Sequence, residues 1–292
     1  RSRLTNASIR ARLVDTEAPL IMGAVVSGSR PGVVLARALG PALGALGVQH
    51  PAGPLSLNLI GEGGAGILPP PAYVENAAVI GLNHPDVRAT AAEVGALEPN
   101  LDLVAGNRQM VFEDVPSGSV FEHVRLSGSG EGGVVLAELY FPWARGDATS
   151  GVVLTNFSGR AVLDAADSVL VGGFVIEGEA PLEVLIRAVG PGLAALEVPA
   201  AARNPRLEVF RGETPVAAND DWDADAENGA SVAAAGAAVG ALPLGEGSAD
   251  AAVVLTLEPG VYTAVVHPGG SEDYGREALL EIFVVPPQTE RR

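Results

Sequence analysis

The feature that most constrains this chain is that it carries one sequence twice. Leu4–Val48 aligns without a gap with Leu154–Val198 at a constant offset of 150, and roughly half of the positions are identical. Matched pairs include Asn6/Asn156, Arg10/Arg160, Gly23/Gly173, Arg37/Arg187, Gly40/Gly190 and Pro41/Pro191. The match resumes with shifted offsets at Val94–Leu97 against Val239–Leu242, and at Glu138–Phe141 against Glu281–Val284. A duplicated domain of about 140 residues follows. The expected division is a first repeat over 1–145, a second over 150–287 and a tail over 288–292, with the polar stretch Ala144–Gly151 as linker. With Arg1 rather than Met at its start, the chain is expected to be processed or trimmed, with no secretion signal left to read.

Each copy reads as β-structure. Short apolar runs rich in Val, Leu and Ile alternate with Gly and Pro, the pattern of strands separated by turns. In the second copy the runs are Val152–Asn156, Val169–Ile176, Leu182–Val189, Arg206–Phe210, Ala252–Leu257, Val261–His267 and Ala278–Val285. The first copy has Leu20–Val26, Val33–Leu39, Leu55–Ile60, Met110–Val115, Val120–Leu126 and Val134–Phe141. Gly40-Pro41 and Gly190-Pro191 place Pro where a helix tolerates it, in the first turn. Ala89–Leu97 and Ser231–Leu242 are Ala-rich and predict a second helix in each copy. The expected fold is all-β: two tandem β-sandwich domains of jelly-roll type, each with one or two short helices.

Charge and missing residue types exclude several functions. The net charge is -17, which repels phosphate backbones and anionic lipid, so nucleic acid and membrane surfaces are poor partners. No apolar run reaches the roughly 18 residues of a bilayer span. Every basic side chain is Arg. Schiff-base chemistry, a phosphate-binding loop lysine and Lys–Asn isopeptide cross-links are therefore impossible. Cys is absent too, which removes disulfides, thiolate metal sites and thiol nucleophiles.

Four stretches carry a resemblance. The LTNxSxR opening, the GGFVIxG…VLIRAVGPxL core, the NDDW segment and the LEPGVYTAVV…LLEIF ending resemble a tandem repeat of large secreted proteins of environmental bacteria. Nearly all of the second copy matches this pattern, whereas the first has a Gly/Pro-rich stretch in place of NDxW. The resemblance implies an extracellular or cell-surface β domain used in series, and implies no activity.

The remaining motifs divide between chemistry and structure. Gly61–Gly66 satisfies the GxGxxG spacing, with Asp86 about 20 residues on. Pro69-Pro70-Pro71 forbids the helix that a dinucleotide site requires, so the stretch is expected to be a surface loop. Asn219–Glu227 is the densest carboxylate cluster, and Asp221, Asp223 and Asp225 are candidate calcium ligands at alternate positions. The competing reading is a solvated acidic turn capping the helix that follows. Asn6-Ala7-Ser8 and Asn156-Phe157-Ser158 have glycosylation spacing, but read as Asn/Ser pairs fixing a bend. Arg37 and Arg187 interrupt apolar strands and each needs a carboxylate partner, for which Glu138 and Glu281 are the candidates. His50, His84, His123 and His267 accompany no recognisable nucleophile motif, and no catalytic residues are expected.

These readings predict a non-enzymatic structural or adhesive protein that self-associates through edge strands, as a filament or surface-layer subunit. The alternative is a binding module for carbohydrate, or one dependent on calcium. Trp143 and Trp222 discriminate: on an open face they favour sugar, and buried they favour assembly.

Overall fold

The computed structural model describes residues 2–28, 32–61, 96, 108–115, 118–126, 132–141 and 153–287. The GxGxxG stretch beyond Gly61, the expected helix over Ala89–Leu97, the linker Ala144–Gly151, Trp143 and the tail 288–292 lie outside these residues. The described residues form fifteen strands and the architecture is all-β. Contacts divide the chain into two compact units, the first Thr5–Thr155 and the second Arg1–Leu4 together with Asn156–Arg292.

The first unit contains β1 (Arg3–Leu13) from Thr5 onward, β2 (Leu20–Ser27), β3 (Gly32–Leu39), β4 (Leu55–Gly61), β5 (Arg108–Val115), β6 (Gly118–Leu126) and β7 (Gly133–Tyr140). Among the described residues these strands pair antiparallel in two series, β1–β7–β3–β5 and β2–β6–β4.

The second unit contains β8 (Val153–Leu163) from Asn156 onward, β9 (Leu170–Glu177), β10 (Leu182–Val189), β11 (Arg206–Arg211), β12 (Thr214–Asn219), β13 (Ala251–Leu257), β14 (Gly260–His267) and β15 (Arg276–Val284). Its series are β8–β15–β10–β13 and β9–β14–β11–β12, again antiparallel. The order of pairing maps each described strand of the first unit onto one of the second, with β12 the addition among the described residues. Phe157 of β8 meets Phe174 of β9 at 6.2 Å between ring centroids, an apolar contact between the two series. β10 lies between two neighbours, and its run Val184–Val189 is buried throughout. A strand covered on both faces has to be continuously apolar, as this one nearly is.

The Gly-Pro segments form short 3-10 helices, Pro41–Leu46 and Pro191–Leu196, rather than α-helix. Gly190 precedes the second because a Cβ there would fall 2.6 Å from the carbonyl oxygen of Ala202. The helix expected over Ser231–Leu242 instead spans Ala226–Val239, hereafter α1. It starts earlier because Asp225 Oδ1 accepts the backbone N–H groups of Glu227 and Asn228 at 3.0 and 2.9 Å, and it ends where Gly240 turns left-handed at φ 68°.

Candidate functional site

The polar motifs of the second copy converge on one region, the outer edge of β13 and the helix laid against it. β13 ends its series, so half of its backbone groups face outward, and an uncovered edge is open to other strands. Asn219 closes one of them, its side-chain oxygen accepting the Ala252 N–H at 2.8 Å. Asn228, in the first turn of α1, donates through Nδ2 to the Ala252 carbonyl at 3.0 Å and to the Trp222 carbonyl at 2.7 Å. The Trp222 N–H donates to the Asp250 carbonyl at 2.9 Å. The indole is only 8% exposed; its Nε1 donates to the Gly245 carbonyl at 3.1 Å, and the ring packs with Leu185, Val232 and Ala235. The NDDW segment is thus a clasp over a strand edge.

The three candidate calcium ligands take different places in this clasp. Asp225 caps α1, Asp223 Oδ2 accepts the Gly247 N–H at 2.7 Å, and Asp221 is exposed. Among the described residues no three acidic, His or Cys side chains are grouped as for a metal ion. The neighbouring Asp220 carboxyl is held above its ordinary range, chiefly by desolvation and secondarily by Asp221, with Arg206 pulling the other way.

Beside the clasp is a pocket of about 140 Å³ between α1 and the segment Ala241–Leu244. Its wall is mainly apolar, with Trp222, Val232 and Leu244, and Arg187 is its one charged lining residue. Arg187 and Glu281 are direct cross-strand neighbours on β10 and β15. The Arg187 Nε donates to Glu281 Oε2 at 2.9 Å, Nη2 donates to the same oxygen, and Nη1 donates to the Leu242 carbonyl at 2.6 Å. Phe283 presents its ring 5.7 Å from the guanidinium carbon. In the first unit Arg37 and Glu138 are likewise opposite each other, on β3 and β7, with Nε 3.6 Å from Oε2. There Tyr140 occupies the position of Phe283 and its hydroxyl donates to Glu138 Oε1 at 2.8 Å. The structure therefore brings both Arg–Glu pairs together, each with an aromatic partner adapted to it.

Two buried carboxylates went unnoticed in the sequence. Asp250 Oδ1 accepts the N–H groups of Gly190 and Gly192 at 2.8 and 3.1 Å, and its Oδ2 accepts from Ser248 at 2.7 Å. Asp273 accepts from the backbone of Arg203, Asn204 and Gly269. For Asp250 the signal available is the Gly-Pro turn itself, whose amides must find an acceptor once buried. Of the histidines, His267 Nε2 lies 3.0 Å from Glu208 Oε2 on the half-buried face of β14.

No family model matches this chain, and no curated protein matches it. Among solved structures, the chain spans 57% of the length of PNGF-II at 9% identity and a TM-score of 0.23, with 97% of the chain covered. It aligns over 94% of its length with 88% of the tandem CBM51 modules of a family 98 glycoside hydrolase from Streptococcus pneumoniae, at 8% identity and a TM-score of 0.25. The major capsid protein P2 of bacteriophage PM2 aligns at 10% identity and a TM-score of 0.22, covering 96% of this chain and 98% of that one. Likenesses of this size carry no argument about function. Among the described residues no helix is long and apolar enough to cross a membrane.

Proposed function

We propose that the chain is a non-enzymatic structural or adhesive protein of the bacterial exterior, built from two tandem β-sandwich domains that self-associate through strand pairing. The observation that carries this reading is the fate of Trp222 and the acidic segment around it. A sugar-binding platform needs an exposed ring with polar groups free at its rim. Trp222 is buried instead, and Asn219, Asp223, Asp225 and Asn228 are bonded to the backbone of their own unit. Side chains conspicuous enough to suggest chemistry are spent on holding strands and turns. Closing the β13 edge while β12 remains at the end of the other series directs any pairing to chosen edges.

The reading is tested by light scattering over a concentration series, run beside a glycan array on the same preparation. Growth of mass with concentration and no glycan signal is the expected result. A constant mass of one chain together with saturable glycan binding would replace assembly by the binding-module reading.

A further inference from the structure

The strands that open the two repeats change their burial phase at the same place. In β8, Leu154 is buried, Thr155 and Asn156 are both half-buried, and burial resumes at Phe157, Gly159, Ala161 and Leu163. In β1, Leu4 is buried, Thr5 and Asn6 are half-buried, and burial resumes at Ala7, Ile9, Ala11 and Leu13. Strand residues alternate strictly between faces, so two half-buried neighbours mark a point where a strand leaves one interior and enters another. The unit divisions fall at that point, after Leu4 and after Thr155. The opening residues of the first repeat belong to the second unit, and those of the second repeat belong to the first.

The segment is seated by specific contacts. In the second unit β9 pairs with β1 as well as with β14. Ser2 Oγ donates to the Ala180 carbonyl and accepts the Ala180 N–H at 3.1 Å. Gly178, at φ 132°, permits the close approach, since a Cβ there would fall 2.6 Å from Ser2 Cα. Leu4 is 1% exposed. In the first unit Leu154 is 0% exposed and Thr155 Oγ1 donates to the Val25 carbonyl at 3.1 Å. The glycine recurs there as Gly28.

The geometry points to a donated segment: the edge of β9 and the Gly178–Ala180 turn accept residues Ser2–Leu4 from a second copy of the chain as well as from their own. A segment supplied from far along the sequence makes the same contacts whichever chain supplies it, and effective concentration alone selects the source. A chain that gives its segment to a neighbour leaves its own edge open for a third, and copies add in series wherever two chains do not exchange segments reciprocally. This deepens the self-association reading and rests on it.

The absence of cysteine makes the test clean. Ser2→Cys and Ala180→Cys are made separately and together. The doubly substituted chain is expected to close an intrachain disulfide when oxidised dilute. The two single variants, unfolded together and refolded at high concentration, are expected to give a cross-linked band at twice the chain mass that reductant removes. Absence of that band while the double variant closes its own disulfide overturns the proposal, as does failure of the double variant to close. Light scattering on the refolded mixture separates the two readings: oligomers without the cross-link overturn donation and leave self-association standing. Single chains throughout overturn both.

Discussion

At the scale of single residues, each of the buried arginines Arg37 and Arg187 has a carboxylate directly opposite it on the neighbouring strand. Arg187 is 4% exposed and holds Glu281 across β10 and β15. Removing one member of such a pair strands the other charge, whereas replacing both with apolar groups of similar size removes the problem. Arg187→Met should lower unfolding stability by about 3–5 kcal/mol, and Arg187→Met with Glu281→Met by much less, read from denaturant midpoints at constant slope. Asp220 gives a pH dependence of opposite sense to a salt-bridged acid. Its folded pKa is raised, so the native state holds the proton more tightly than the unfolded chain. Stability is then lost as pH rises from the unfolded pKa through the folded one, and the cost is absent below both. Asp220→Asn should raise the melting temperature at about pH 7 and leave it unchanged at about pH 2, below the ordinary aspartate range.

At the scale of elements, strands buried on one or both faces were legible because their apolar pattern has to match the pleat. Leu182–Val189 is expected as a strand and is β10, and the runs for β9, β11, β13, β14 and β15 differ from the strands by at most two residues at an end, whereas Val152–Asn156 stops seven residues short of the end of β8. β12 was missed. Its exposed Thr214–Asn219, with Pro215 inside, has no alternation to detect, since an edge strand needs no apolar face. The calcium expectation and the earlier start of α1 turn on the same residue. Asp225 caps a helix and at the same time sits in an alternating acidic row, and spacing alone does not separate those roles. Asp225→Ala should cost about 0.5–2 kcal/mol of stability, equal in the presence and absence of a chelator. Dependence of that loss on calcium would assign the cluster to metal binding.

At the scale of the whole molecule, duplication was visible at once and its consequence was not. The alignment shows that Leu4 and Leu154 correspond, but only packing reveals that the strand changes interiors just beyond each. Truncating a buried leucine costs about 2–5 kcal/mol, felt first by the strands around it. Leu4→Ala should therefore speed amide exchange in β9 and spare β2, and Leu154→Ala should do the reverse. Fast exchange in the same strands for both variants would contradict the unit assignment. The absence of Lys and Cys leaves strand pairing and apolar burial as the means of joining copies, so assembly should be reversible and concentration-dependent. The most direct test of the structural role is negative-stain electron microscopy of the purified chain over a rising concentration series. Ordered assemblies that lengthen with concentration and revert on dilution are the expected result. Isolated single chains of 29.6 kDa at every concentration would contradict it.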